Sequence, residues 1–250
     1  MSIEMKELTK AFGDKQVLRG FTLDVREGEV VSIIGPSGSG KSTALKHIIG
    51  LIEPDDGEVW VDGLHVGALS QDDLFELRRK VGYVFQFAAL FDSMTLAENV
   101  AMGLKRMRTL SESEIQERVD ESLERVDLEG QGGKYPSELS GGMKKRAGVA
   151  RAIALRPKYL LYDEPTTGLD PVTVTMVDRL IGQMQDQLDV TSLVITHDLD
   201  SAYRISDRVA MLYEGRVQFE GSPKDVQESQ DPVVKAFVEG RPEEWEELQR

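Results

Sequence analysis

The stretch "GPSGSGKST", Gly35 to Thr43, follows the apolar segment "EVVSIIG" and precedes a predicted helix that begins at Lys41 and ends at about Ile49. A glycine-rich loop of this spacing between a buried strand and a helix presents backbone N–H groups to phosphate. The stretch therefore predicts a phosphate-binding turn inside an α/β fold. A glycine-rich turn without a ligand is the alternative, and the coincidence of lysine, serine, strand and helix disfavours it.

The residues of this loop suit different parts of a nucleotide. The backbone N–H groups of Ser37 to Lys41 can surround a β-phosphate, Lys41 can reach the β- and γ-phosphates, and Ser42 can bind Mg²⁺. The predicted nucleotide-binding residues of the loop are Gly35, Pro36, Ser37, Gly38, Ser39, Gly40, Lys41, Ser42 and Thr43. The loop alone does not distinguish a kinase, a switch protein and a motor.

The later stretch "LLYDEPTTGLD" carries two adjacent carboxylates after an apolar strand. Asp163 is the predicted partner of Mg²⁺, usually through water, and Glu164 is the candidate general base for the attacking water. Strand alternation would place the two carboxylates on opposite faces, so we predict that the strand ends here. Pro165 predicts an extended Glu164 and favours that ending. Without a phosphate loop, an ordinary solvated turn would be the better interpretation.

Composition limits the class of protein. The chain has 250 residues, 40% of them hydrophobic, which is enough for a substantial core. A net charge of −14 disfavours a protein whose main surface binds nucleic acid, and the absence of cysteine excludes disulfides and thiolate metal sites. No run of eighteen apolar residues and no secretory signal is present, so we expect a cytosolic chain.

The order of predicted elements indicates an α/β core that contains a helical insert. Short strands are predicted at residues 3–8, 16–18, 21–25 and 81–85, at "EVWVDG", "KYLLYDE" and "TSLVIT", and in a terminal hairpin of "RVAMLY" and "RVQFEG". Residues 87–156 are predicted to be mostly helical. Within them, Ser111 and Glu114 have capping-box spacing, and the positions expected on the apolar face of the following helix are Ile115, Val119, Leu123 and Val126. A further helix is predicted to begin at Pro171.

A second serine and glycine pair precedes a basic helix in "ELSGGMKKRAGVARA". Ser140, Gly141 and Gly142 could contact a phosphate at that helix start, although a simple helix cap explains the serine as well. The basic residues that follow are predicted to form a solvated helix face rather than a nucleic-acid patch; they are Lys144, Lys145, Arg146 and Arg151.

Three single residues carry little weight individually. Gln86 could contact Mg²⁺ and water, but a glutamine at a strand end is usually a polar boundary. His197 could sense a γ-phosphate, but is more often a surface or capping histidine. Phe12 could stack on an adenine ring, but an aromatic near a first hairpin is more often part of the core.

Taken in order, these motifs resemble those of the ATP-binding cassette (ABC) ATPases over nearly the whole chain. The resemblance implies a P-loop NTPase (RecA-like) core of ABC type with an N-terminal antiparallel β-subdomain and an inserted α-helical subdomain at about residues 87–156, in a domain of residues 1–240 followed by a tail of residues 241–250. It implies an A-loop aromatic at Phe12, a Q-loop glutamine at Gln86, a signature at residues 139–143, a D-loop ending at Asp170 and a switch histidine at His197, with Glu164 as the catalytic carboxylate.

In this family two cassettes join head to tail, and the signature of one closes on the ATP held by the other. The resemblance therefore implies a homodimer, with Ser140, Gly141 and Gly142 serving the neighbour's γ-phosphate. Met143 departs from the glutamine common in the family, but the phosphate contacts do not need that side chain. The family also implies ATP and Mg²⁺ as cofactors and predicts ATP hydrolysis.

Several segments are most similar to the ATPases of MCE-associated, Mla-like phospholipid transport systems, among them "FQFAALFDSMTLAENVAMGL" and "SQDPVVKAFVEG". This resemblance implies a permease in the inner membrane, an MCE lipid-binding protein, sometimes a STAS-domain protein, and a peripheral position on the cytoplasmic face. Residues 87–91 could receive the permease, with core packing a nearly equal alternative. The tail could extend onto the neighbouring cassette or form a frayed acidic helix.

Other functions stay open at this point. An importer or exporter ATPase for another substrate, such as amino acids, is the alternative within the class. A translation, chromosome or repair ABC protein is disfavoured by the single motif set, the absence of sustained heptads and the acidic balance. A simple P-loop kinase or GTPase is disfavoured by the signature and by the absence of an "NKxD" segment.

Overall fold

The structure, a computed structural model, describes residues 3–248. It divides into two compact units, one formed by the chain up to Phe75 together with the chain from Thr191 onward, the other by residues 76–190. The limits of these units differ from the predicted helical subdomain at 87–156, which stays a prediction.

The first unit opens with an antiparallel sheet of β1 (Ile3–Phe12), β2 (Lys15–Val25), β4 (Asp56–Val61) and β5 (Leu64–His65), in the order β2-β1-β4-β5. The prediction of two separate segments at 16–18 and 21–25 is wrong, because they form one strand. Gly20 has a φ of 89°, and the register between β1 and β2 shifts on either side of Leu8. A glycine irregularity of this kind bends a strand without ending it.

The same unit contains a second sheet segment in the order β10-β9-β3-β8. It comprises β3 (Val30–Ile34), β8 (Thr191–Ile195), β9 (Arg208–Tyr213) and β10 (Arg216–Gly221), with β3 parallel to both β8 and β9. Every residue of β3 and β8 is buried, as expected for parallel strands covered on both faces. The predicted terminal hairpin is confirmed as β9 and β10.

The first unit also contains helices, each of which lies after one of its strands in the chain. They are α1 (Lys41–Ile48), α7 (Leu199–Ile205), α8 (Pro223–Gln227), α9 (Pro232–Val238) and α10 (Pro242–Leu248), and the boundary between the units falls within α2 (Gln71–Arg79). In α10, the Trp245 ring packs 5.2 Å from that of Tyr213 and 5.6 Å from that of Phe237. The predicted tail helix is thus anchored at its middle rather than frayed as far as Leu248, and its last two residues lie outside the described residues.

The second unit pairs β6 (Val81–Val84) in parallel with β7 (Tyr159–Asp163). Its helices are α3 (Leu96–Met107), α4 (Glu112–Glu124), α5 (Gly141–Ile153) and α6 (Pro171–Leu188). The capping box of Ser111 and Glu114 is present, and the four apolar positions expected behind it are buried. Within residues 3–248, no helix combines the length and apolar character that crossing a bilayer requires.

Candidate functional site

The phosphate loop runs between β3 and α1, as predicted. Gly35, Gly38 and Gly40 have φ angles of 144°, 79° and 108°, in the region that favours glycine. A Cβ on Gly35 would lie 2.2 Å from the Leu212 carbonyl oxygen. The loop therefore depends on glycine both for its backbone angles and for its close approach to β9.

Two polar side-chain groups of this loop are buried, those of Lys41 and Ser39. The buried Lys41 Nζ donates to the carbonyl oxygens of Gly35 at 2.8 Å and Pro36 at 3.0 Å. The Ser39 hydroxyl is buried without a hydrogen-bond partner among the described residues, whereas Ser37 and Gly38 are exposed. An enclosed ammonium and an unsatisfied hydroxyl suit an anionic ligand that supplies oxygen acceptors, so the loop fits the phosphates of a nucleotide.

Phe12 lies at the end of the β1–β2 hairpin, paired with Lys15. The hairpin lies beside the phosphate loop, because a Cβ on Gly40 would meet side chains of Val17 and Leu18 at 2.9 Å. Half of the Phe12 surface is exposed, so the expectation that such an aromatic belongs to the core is wrong. Its ring is accessible to a flat ligand at the side of the loop.

His197 emerges two residues after β8. Because β3 and β8 are parallel with Ile33 opposite Ile195, His197 leaves the sheet at the same end as the phosphate loop. Its side chain is exposed. The cap of α7 is Asp198, whose carboxylate accepts from the Ser201 N–H at 3.1 Å, so the capping role considered for His197 is wrong.

The paired carboxylates stand at the end of β7, which stops at Asp163 as predicted. Asp163 is 9% exposed and accepts a 3.0 Å hydrogen bond from the Tyr83 hydroxyl. Burial, followed by the charge of Asp163, raises the pKa of Tyr83 well above its ordinary value, so Tyr83 stays a proton donor to this carboxylate.

Glu164 is not extended, contrary to the prediction from Pro165, since its φ is 53°. One local and one long-range hydrogen bond outweigh the preference set by Pro165 here. The Thr167 hydroxyl donates to the Glu164 carboxylate at 3.0 Å, and the buried Lys145 donates to the Glu164 carbonyl at 3.3 Å. A left-handed residue held in this way is a strained position of the kind found at functional sites.

Gln86 follows β6 after one residue, and Lys145 connects it with Glu164. The Lys145 Nζ donates to the Gln86 carbonyl at 2.5 Å as well as to that of Glu164. One ammonium on α5 thus contacts the backbone carbonyls of both the predicted Q-loop glutamine and the predicted general base. We expected Lys145 on a solvated face, and its 7% exposure makes that wrong.

The solvated-face prediction is also wrong for two arginines of α5. Arg146 donates to the carbonyls of Val126 and Asp127 at 2.9 Å. Arg151 donates to those of Ala88 at 2.7 Å and Ala89 at 2.5 Å. Spacing carried a signal that we missed: Lys145 stands three and four residues before Gly148 and Val149, both on the buried side of α5.

Residues 87–91 divide between the two interpretations offered for them. Phe87 is 82% exposed and Phe91 is 50% exposed, so core packing is wrong for both aromatic rings. Ala88 is buried, as core packing predicts. Ala88 and Ala89 have positive φ angles of 59° and 48°, and Arg151 holds both of their carbonyls. The segment is therefore a fixed turn that displays two aromatic side chains.

The signature begins α5. The Ser140 hydroxyl accepts from the Met143 N–H at 3.3 Å, which is the helix cap considered as the alternative, yet Ser140 and Gly141 are exposed. A Cβ on Gly142 would lie 2.6 Å from Thr173 of α6. Asp170 caps α6 by accepting from two N–H groups at 3.1 Å, one of them that of Thr173, and is exposed. The N-terminal ends of α5 and α6 thus lie against each other at Gly142, and both ends face solvent.

Comparison with known proteins agrees with this geometry. Residues 18–167 match the family described as ABC transporter. The chain is 42% identical to the "Probable ribonucleotide transport ATP-binding protein mkl" of Mycobacterium leprae over 96% of this chain and 70% of the relative. It is 39% identical to the "Intermembrane phospholipid transport system ATP-binding protein MlaF" of Haemophilus influenzae over 95% and 90%.

Among solved structures, the chain is similar to a dimeric post-hydrolysis state of the ATP-binding cassette MJ0796 bound to ADP and Pi. The TM-score is 0.81 at 36% identity, with 88% of this chain and 98% of that chain covered. An enclosed phosphate loop, a carboxylate pair at the end of β7 and this similarity along the chain lead to one conclusion: the protein belongs to the ABC transporter family, as a subunit that binds and hydrolyses ATP.

Proposed function

We propose that two copies of this chain form a head-to-tail homodimer in which each ATP is bound by the phosphate loop of one copy and the signature of the other. The observation that carries this proposal is the exposed, capped start of the thirteen-residue helix α5. Its positive end and the exposed Gly141 suit a γ-phosphate. The exposed Asp170 gives the partner a second contact beside it.

Within each site, Lys41 and the loop amides hold the β- and γ-phosphates, Phe12 stacks on the adenine, and His197 senses the γ-phosphate. Glu164 accepts a proton from the attacking water. The predicted metal donors are the Ser42 hydroxyl, the Gln86 amide and the Asp163 carboxylate. This set fits Mg²⁺, which is usually bound by one or two carboxylates with water and phosphate oxygens. The metal would polarise the phosphates there, and the described residues hold no cluster of three acidic or histidine side chains that would suggest a closed metal cage.

We further propose that the dimer drives a permease in the inner membrane from its cytoplasmic face, with phospholipid as cargo and an MCE protein, and in some cases a STAS-domain protein, in the same complex. The similarity to MlaF over most of both chains supports this assignment, and the ribonucleotide named for mkl is the rival cargo. The exposed rings of Phe87 and Phe91 suit an apolar permease helix. Residues 87–156 would form the helical subdomain that carries this contact, within a cassette of residues 1–240.

Mixing two inactive variants tests the shared site. Lys41→Ala removes the phosphate-loop lysine, and Ser140→Ala together with Gly141→Val blocks the signature. In a mixed head-to-tail dimer, one site combines the intact loop of the second variant with the intact signature of the first. We expect each variant alone to be inactive and their mixture to release phosphate. A mixture that stays as inactive as its components, with mixed dimers verified by affinity tags, would refute the proposal.

A further inference from the structure

Lys145 lies one and a half turns into α5, the helix that starts at the signature serine. Its ammonium donates to the Gln86 carbonyl at 2.5 Å and the Glu164 carbonyl at 3.3 Å. These partners stand 59 and 19 residues away in the chain. One side chain therefore joins three segments of the same unit.

The surroundings of this ammonium indicate a specific role. Lys145 is 7% exposed, and burial lowers its pKa, while the charge of Glu164 acts in the opposite direction. Burying a long cationic side chain costs free energy that two carbonyl hydrogen bonds only partly return. An apolar residue would fill the same space on α5 at lower cost, so packing alone does not explain a lysine.

The two carbonyls belong to residues whose placement matters for the reaction. Gln86 begins the turn that displays Phe87, and Glu164 has a positive φ. A backbone in that region returns to commoner angles unless neighbouring groups hold it. An N–H donor on its carbonyl is such a group, because it opposes rotation of the peptide that carries the Glu164 side chain.

We propose that Lys145 is a positioning residue for ATP hydrolysis, which fixes the Glu164 carboxylate and the Gln86 turn to the helix that carries the signature. The inference rests on the proposed function, in which Glu164 is the general base. Displacement of a general base by about 1 Å can cost on the order of 10²-fold in rate. Because the hydrogen bonds of Lys145 go to the carbonyls of Gln86 and Glu164 and not to residues proposed to bind phosphate, its loss should change turnover and not ATP affinity.

Arg151 provides a matched comparison on the same helix. It also donates to two carbonyls of the turn after Gln86, those of Ala88 and Ala89, but it has no contact with Glu164 in the described hydrogen bonds. Arg151→Met thus removes a tether of the turn alone, whereas Lys145→Met also releases the base. We expect the lysine variant to lose about 10–100-fold in kcat, with ATP Kd within about twofold of wild type, and the arginine variant to lose less than about fivefold.

A chemical rescue experiment that rebuilds the ammonium at position 145 distinguishes a positioning role of Lys145 from a role in folding. The natural chain has no cysteine, so Lys145→Cys provides a single thiol. Alkylation in urea with 2-bromoethylamine, followed by refolding, builds a side chain with the length and charge of lysine, and 1-bromopropane builds a neutral one of the same length. We expect turnover to recover only with the ammonium. Equal turnover of the two products would overturn the inference, even if Lys145→Met failed to fold.

Glu164→Gln, assayed alongside, separates the two proposals. If it abolishes hydrolysis while Lys145→Met stays within twofold of wild type, the positioning role fails and the proposed function stands. If Glu164→Gln hydrolyses ATP normally, the general base has been misassigned and both proposals fail.

Discussion

The phosphate loop and the signature each stand at the start of a helix, α1 and α5, but their lysines and their helix caps are used differently. Each has serine and glycine before the helix and a buried lysine that donates to two carbonyls. At the loop the lysine reaches residues six and five positions away, and the helix N-cap is Gly40 without a side-chain cap. At the signature, Ser140 caps its own helix, and Lys145 reaches residues far along the chain. At the loop the lysine is buried against its own segment, whereas at the signature Ser140 and Gly141 are exposed.

The largest effect we predict concerns the base held by Lys145. Glu164→Gln keeps the shape of the side chain but cannot accept a proton, so turnover should fall by roughly 10²–10⁴-fold while ATP still binds. Phosphate release and binding of a fluorescent ATP analogue measure the two properties separately. Near-normal phosphate release from this variant would show that the base lies elsewhere.

Glycine substitutions test the contrast between the two helix starts directly. Gly35→Ala places a Cβ against the Leu212 carbonyl and should lower the free energy of unfolding by about 2–3 kcal/mol and abolish ATP binding. Gly141→Ala meets no atom closer than 3.6 Å, so stability should change by less than about 0.5 kcal/mol while hydrolysis falls. Urea unfolding and ATP titration check both. Equal destabilisation by the two substitutions would contradict the comparison.

Trp245 in the C-terminal tail packs beside Pro36 of the phosphate loop, so a change in the tail should alter stability at the loop and leave the signature intact. Pro36 and Trp245 line a cavity of about 330 Å³ together with residues of α9 and the turn that follows it. Trp245→Ala should therefore lower the unfolding free energy by about 1–3 kcal/mol, and Glu246→Ala, at an exposed neighbour, should leave it unchanged.

We also predict that deletion after Gly240 weakens dimer or transporter assembly. Unchanged complex yield and turnover after the deletion would contradict that second prediction.

The smallest effect we predict is a pH dependence of the folding stability, which arises from His47 in α1 and not from α5. His47 is buried in α1, its Nδ1 is bonded to the Thr43 carbonyl at 2.7 Å, and burial lowers its pKa. The unfolded chain then binds a proton at a higher pH than the folded chain, so stability should decline as pH falls below about 6.5. His47→Gln should reduce that decline in thermal melts between pH 7.5 and 5.5. An identical decline in the variant would assign it to other groups.

Features fixed by a few neighbouring residues were predictable from the sequence. The loop between β3 and α1 and the capping box at Ser111 depend on residues within one turn, and both are present. The conformation of Glu164 was not predictable, because Lys145 and Thr167 outweigh the preference set by Pro165. The burial of Lys145 is indicated by its spacing from Gly148 and Val149 on the buried side of α5, but its hydrogen-bond partners lie 59 and 19 residues away and are brought to it only by folding.

The exposed rings of Phe87 and Phe91 have a practical consequence for handling the purified chain. Two aromatic side chains on one turn favour self-association, while a net charge of −14 keeps copies apart. Added salt shortens the range of that repulsion, to about 3 Å at 1 M, without weakening apolar attraction. Colloidal stability should therefore decrease in concentrated salt, and dilute buffers suit storage best.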